Sequence, residues 1–252
     1  MPETLNAAMR TRLIANAGGE DVVAVEQYID YFTGRTFRCS LLAKAGAGAS
    51  HTRDYDRLRG LHLSSELRPS AASDAGAPTF KDARERTVKS QDPAVQSALA
   101  RLAAAFPNTL SFDELCAPAD AARVISALSL LAAAGQVEAS TQPLRVGRAS
   151  EETLRVWAPA RAEAAAGQPW LTSMAHAPVV LKPAVAVLIG HVDGGNDREA
   201  LKAILARALA RGEVQAPELA GASIEAVAAL YLDRVLNFLA ANALLEPGSG
   251  EE

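Results

Sequence analysis

Hydrophobic positions along the chain fall into three segments with different rhythms. In residues 1–91, Val22, Val23, Val25, Tyr28, Ile29 and Phe32 recur at helical spacing, with Asp21 placed to cap the helix and Gly34 to stop it. Phe37, Cys39 and Leu41 then alternate with Arg38 and Ser40, which is the period of a strand. Leu61, Leu63, Ser65 and Leu67 alternate again and predict a second strand, ended by Pro69. Shorter strands are expected at Thr79-Phe80 and Thr87-Val88, and residues 45–50 and 70–78 are small-residue loops. The predicted unit is a helix with a small antiparallel sheet.

Residues 92–150 change to a helical rhythm. Asp92-Pro93 opens a helix that places Val95, Leu99, Leu102 and Phe106 on one face. Ser111 and Glu114 have the spacing of a capping box, which starts a short second helix ended by Pro118. Val124, Ile125, Leu128 and Leu131 mark a third helix, closed by Gly135; residues 137–140 and 144–146 then read as a strand hairpin. Three helices followed by a two-stranded wing form a winged-helix layout. In residues 151–252 a helical connector leads to an extended stretch at 168–181. Three helices follow, built on Val185/Leu188/Ile189/Val192, on Leu201/Ile204/Leu205/Leu209, and on Ile224 through Leu239. Gly194-Gly195 is expected to end the first, Asn196 or Asp197 to cap the second and Ser223 the third. The tail from residue 247 is expected to be disordered. The fold class is α+β, helix-rich: a helix-plus-sheet domain, a winged helix and a C-terminal helical or winged-helix-like domain.

Composition sharpens this picture. Apolar residues make up 49% of the chain and aromatics 5%, so helices should pack closely through small side chains, chiefly alanine. The net charge of -4 and pI near 5.7 provide no overall field toward nucleic acid or an anionic membrane. Cys39 and Cys116 are too few and too far apart for a disulfide framework or a zinc pattern, which fits a cytoplasmic protein. No apolar run is long enough to span a membrane.

Candidate chemistry is sparse. Gly46-Ala47-Gly48 follows a predicted strand, but lacks a third glycine and a helix behind it, so it is not a nucleoside-binding turn. His51, His62, His176 and His191 are scattered, and no metal-ligand cluster or linear nucleophile motif accompanies them. Asp193, Asn196 and Asp197 lack EF-hand spacing and read as helix caps. Arg35, Arg38, Arg53, Arg57 and Arg59 would give a basic surface for acidic protein partners, unless Asp54 and Asp56 compensate it. On the predicted winged helix, the third helix offers Arg123 as its only basic residue, and residues 135–143 hold no Lys or Arg. This disfavours DNA reading.

The run Glu26-Gln27-Tyr28-Ile29-Asp30 and Arg35-Thr36-Phe37-Arg38-Cys39-Ser40-Leu41-Leu42 resembles the start of the methyltransferase regulatory domain family. Phe106-Pro107 with Leu110–Leu115, residues 176–181 and residues 192–198 look like the winged-helix and C-terminal parts of the same proteins. In complete members these parts follow a Rossmann-type methyltransferase domain, and the family includes protein lysine methyltransferases that act on bacterial outer-membrane proteins. The resemblance implies a non-catalytic region that works with a methyltransferase domain in cis or in trans and helps to hold a protein substrate, outer-membrane proteins included. S-adenosylmethionine (SAM) is expected in the partner domain. No catalytic, cofactor-binding or metal-binding residue is expected in this chain. Tyr28, Tyr31, Arg35 and Arg38 are the candidate substrate or partner contacts. The rival readings are a winged-helix DNA-binding transcriptional regulator and a stand-alone enzyme whose site assembles from distant histidines and carboxylates.

Overall fold

The structure, a computed structural model, describes residues 7–18, 21–36, 44, 46–48, 54–70, 78–216 and 221–248. The strand expected at 37–42 (with Arg38 and Cys39), residues 45, 49 and 50 of the first loop, His51, Arg53, residues 71–77 of the second loop and the tail from residue 249 lie outside them. The described chain divides into two compact units, residues 1–54 and 55–252.

The first unit contains α1 (Ala7–Asn16) and α2 (Val22–Thr33). The Asp21 carboxylate accepts from the Val23 and Ala24 amides, and Gly34 closes α2 at φ 64°, a backbone angle that suits a residue without Cβ. Leu13 of α1 packs on Val25 and Ile29 of α2. The sequence reading contains no α1; its apolar face, Met9, Leu13 and Ile14, is short.

The second unit holds two hydrophobic cores. One spans residues 61–137 and combines Leu63, Leu67, Phe80 and Val88 with Val95, Leu99, Leu102, Phe112, Val124 and Leu128. It therefore runs across the boundary expected after residue 91. Its elements begin with β1 (His62–Ser64), β2 (Arg68–Ser70), β3 (Thr79–Lys81) and β4 (Thr87–Lys89). There follow α3 (Pro93–Ala105), β5 (Leu110–Ser111), α4 (Phe112–Leu115), α5 (Ala121–Ala133) and β6 (Glu138–Ser140). Asp92 caps α3 through the Ala94 amide at 2.9 Å, and the Ser111–Glu114 capping box is present on α4.

Two expectations are corrected here. The run from Leu61 to Leu67 is not one strand. It breaks after Ser64, and Pro69 lies inside β2 instead of ending a strand. Proline is tolerated there because β2 is the edge of the β2-β3-β4 sheet. The wing is not a 137–140/144–146 hairpin either. The second sheet has the order β5-β1-β6, with Leu63 opposite Leu110 on one side and Ala139 on the other. Residues 144–146 bond instead to the loop before β5. The Leu144 amide donates to the Thr109 hydroxyl at 2.9 Å, and the Val146 amide to the Asn108 carboxamide at 2.7 Å. Those polar partners satisfy the backbone that a hairpin would otherwise have paired.

The second core is built on α6 (Ala158–Ala165), β7 (Trp170–Thr172), β8 (Pro178–Val180), α7 (Pro183–Leu188), α8 (Arg198–Ala210) and α9 (Ile224–Ala241). Asp197 and Ser223 cap α8 and α9 through the Ala200 and Ala226 amides. Helix α7 ends at Leu188, earlier than Gly194-Gly195 suggested; a turn follows, and Asp193 then enters a β-bridge with Arg155. A second bridge joins Val156 to Leu245, so residues 155–156 lie between the segments at 192–193 and 244–246. No helix among the described residues is long and apolar enough to cross a membrane.

Candidate functional site

The β3–β4 turn is where the second unit concentrates buried charge. Asp82 is buried and accepts from the amides of Arg84 and Arg86 at 2.9 and 2.8 Å, from Arg86 Nε at 2.7 Å and from Gln136 Nε2 at 3.1 Å. Burial pushes the carboxyl pKa up. The hydrogen bonds from the Arg86 backbone, the Gln136 side chain, the Arg86 guanidinium and the Arg84 backbone outweigh it and bring the pKa down to about 2. Arg86 Nη1 continues to the Ala134 carbonyl at 3.0 Å, and the Ser65 hydroxyl donates to the Gln136 carbonyl. The hairpin turn, the end of α5 and the β1–β2 connection are thereby tied together.

Opposite this tie stands the β7–β8 turn. The Ser173 amide donates to the Ala177 carbonyl at 3.0 Å, and the Ser173 hydroxyl accepts from the Ala177 amide at 3.2 Å. The Met174 amide donates to the Ala243 carbonyl at 2.9 Å, which fastens the turn to the end of α9. On the outer side of β7, Glu163 of α6 takes the Thr172 amide and hydroxyl at 2.6 and 2.8 Å, and Trp157 Nε1 donates to the Thr172 carbonyl. Strand β7 is therefore covered by α6.

Between the two turns is a cleft of about 1010 Å³, with Ala103, Phe106 and Pro107 also in its lining. The positive-φ residues other than glycine, among the described residues, are Glu85, His176 and Ala243. His176 and Ala243 line the cleft, and Glu85 stands between two residues that do. Non-glycine residues are held in this region only where neighbouring contacts over-determine the backbone, and such positions concentrate at binding and catalytic sites.

His176 is the one described histidine in the cleft, and no group of three or more His, Cys, Asp or Glu among the described residues is arranged to hold a metal ion. Asp193 accepts from the Gly195 amide at 2.9 Å, which lowers its pKa. Burial raises the pKa of the Cys116 thiol, the opposite of nucleophile activation.

The candidate contacts are dispersed. Tyr31 is 88% exposed on α2 and Tyr28 is also exposed. Arg35 pairs with Asp30 at 3.2 Å and Glu26 at 3.9 Å, while Arg38 lies outside the described residues. Arg59 pairs with Asp56 and stacks 5.3 Å above the Phe112 ring. Arg123 is held by Asp120 and Asp92. Sequence reasoning missed Asp82, Arg84, Arg86, Gln136 and Glu138. The signal available was the polar stretch 81–87 between two short strands, which identifies a turn but not its partners.

Residues 155–244 match the family model described as PKMT, C-terminal winged helix domain. The fold across 97% of the chain is similar to a solved structure of PKMT2 from Rickettsia typhi in complex with AdoHcy (TM-score 0.76, 16% identity), covering 53% of that chain. A second PKMT2 structure from Rickettsia typhi gives a TM-score of 0.79 at 15% identity, again over 97% of this chain and 54% of that one. The likeness is one of fold, and the chain spans about half the length of the solved structures it matches. No curated protein matches its sequence. The helix-rich α+β class with small antiparallel sheets is borne out, and so is the winged-helix character of the C-terminal part.

Proposed function

We propose that this chain is the substrate-handling region of a SAM-dependent protein lysine methyltransferase, working with a donor-binding domain in cis or in trans and performing no chemistry itself. The observation that carries this reading is the match of residues 155–244 to the PKMT C-terminal winged helix domain. The shared fold with half of PKMT2 is consistent with it. Such a region accelerates methyl transfer by proximity and orientation, without a reacting group of its own. Its substrate is a protein, with outer-membrane proteins the first class to try, and its place of action is the cytoplasm. Tyr28, Tyr31, Arg35 and Arg38 are the contact candidates on and after α2.

Titration calorimetry with SAM should give no heat of binding to this chain alone. Adding the chain to a PKMT donor-binding domain should lower KM for a lysine-bearing protein substrate, and Tyr31→Ala should weaken that effect. Micromolar SAM binding by the chain, or methyl transfer indifferent to its presence, refutes the proposal. The DNA-regulator reading is disfavoured by Arg123, whose charge on α5 is engaged by Asp92 and Asp120. Sequence-selective retardation of duplex DNA at low salt would restore it.

A further inference from the structure

Each of the three small sheets sends an edge strand to the same cleft. Arg68 comes from β2, the edge of the β2-β3-β4 sheet; Glu138 comes from β6, the edge of the β5-β1-β6 sheet; Pro178 and Val179 come from β8 of the β7-β8 pair. The natural partner for β6 on its open side, the segment 144–146, bonds to residues 108 and 109 instead. On the β7-β8 pair, α6 covers β7 and leaves β8 as the uncovered edge. An exposed strand edge presents backbone amides and carbonyls that can pair with a further strand; Pro69 and Pro178 remove amides from β2 and β8, so β6 is the edge best able to do so. An extended polypeptide can pair along the open side of β6, which a small molecule cannot do.

Charge at the cleft narrows the class. Asp82 and Arg86 are consumed by each other, as are Glu66 and Arg68. Arg84 and Glu138 also line it and have no charged partner among the described residues. We infer that the cleft binds an extended peptide segment of a protein by strand addition, with a basic side chain of that segment facing Glu138 and an acidic one facing Arg84. The inference rests on the substrate-handling reading for its biological meaning, but it specifies where and how the substrate is held. The walls are pre-formed by the Asp82 tie and the Ser173 turn, so little ordering of the protein is required on binding.

The test uses phage-displayed random dodecapeptides selected on the whole chain at physiological salt, in the absence of any donor domain or SAM. The enriched peptides should carry one basic and one acidic residue. They should slow amide exchange in 138–140 and at Val180, and Glu138→Lys or Arg84→Glu should weaken them about tenfold each. A peptide with its basic and acidic residues exchanged should recover affinity for the Glu138→Lys/Arg84→Glu double variant. Both positions are exposed, so the variants should unfold at the wild-type denaturant midpoint. If no peptide is enriched, if both charge reversals leave binding unchanged, or if exchange slows only on α2, the inference is wrong. Methyl transfer in the donor-domain mixture is a separate readout, so a failed cleft leaves the proposed function to be judged on its own.

Discussion

The two halves of the second unit solve the same architectural problem differently. One sets three helices and the other four against small sheets, and in each two helices start on side-chain caps: Asp92 and Ser111 in one half, Asp197 and Ser223 in the other. In the half around residues 61–146 the sheet is completed by β1, a strand from upstream of all three helices. In the half around residues 155–246 the corresponding pairing shrinks to two single bridges, at Arg155–Asp193 and Val156–Leu245. The helices are thus specified locally and the sheets by contacts over long stretches of chain, so a helical framework tolerates different solutions for the sheet laid against it.

The largest effect that should bear on this comparison is Leu63→Ala. Leu63 is fully buried at the centre of the β5-β1-β6 sheet, and its truncation should cost about 2–5 kcal/mol. Both tryptophans, Trp157 and Trp170, lie in the other half. Urea unfolding followed by tryptophan fluorescence and by far-UV circular dichroism should therefore show whether damage in one half reaches its neighbour. Coincident shifts of the two transitions are expected, because both halves fall in one compact unit. A fluorescence transition left in place would show that the halves unfold separately.

Gly147→Ala should come next, at about 1–3 kcal/mol. A methyl group there would stand 2.2 Å from the Glu246 carbonyl oxygen, and the Gly147 amide donates to the Leu245 carbonyl. Thermal unfolding should show the loss, which Gly60→Ala should not reproduce, since nothing lies within 4 Å of a Cβ at that position. The caps should follow at about 1 kcal/mol each: Asp92→Ala in one half and Asp197→Ala in the other should be of similar size by denaturant midpoint if the helices are specified alike.

The smallest signal near neutrality comes from Asp82, which titrates only in acid. Its folded pKa of about 2 lies below the ordinary 3.8, so its stabilising contribution is complete above pH 3.8 and is lost as pH falls through about 2. Unfolding midpoints between those pH values should fall more steeply for the wild type than for Asp82→Asn. Equal slopes would remove Asp82 from the tie between the hairpin turn and α5.

Much of the helical framework was legible in the chain itself. Asp21, Asp92, Ser111, Asp197 and Ser223 cap helices because a short polar side chain can reach free amides in the first turn, which is a property of neighbouring residues. Partners were harder to read. The alternation at Leu61, Leu63, Ser65 and Leu67 identifies a buried face but not the two separate sheets to which its ends belong. Pro69 reads as a stop unless the strand is known to be an edge. The cleft was invisible for the same reason: Asp82 and Gln136 are far apart in sequence, and nothing in either neighbourhood announces the other.

The position of β1 also dictates an order of assembly on the ribosome. Everything needed to close the 61–146 half has already been synthesised when residue 146 emerges. The 155–246 half must hold an unfinished edge until Leu244–Glu246 arrive to bond with Arg155–Trp157. At translation speeds of roughly 5–20 residues per second, the first half has several seconds to settle before the second can close, so premature termination near residue 243 should release a protein with one finished half and one unlatched one.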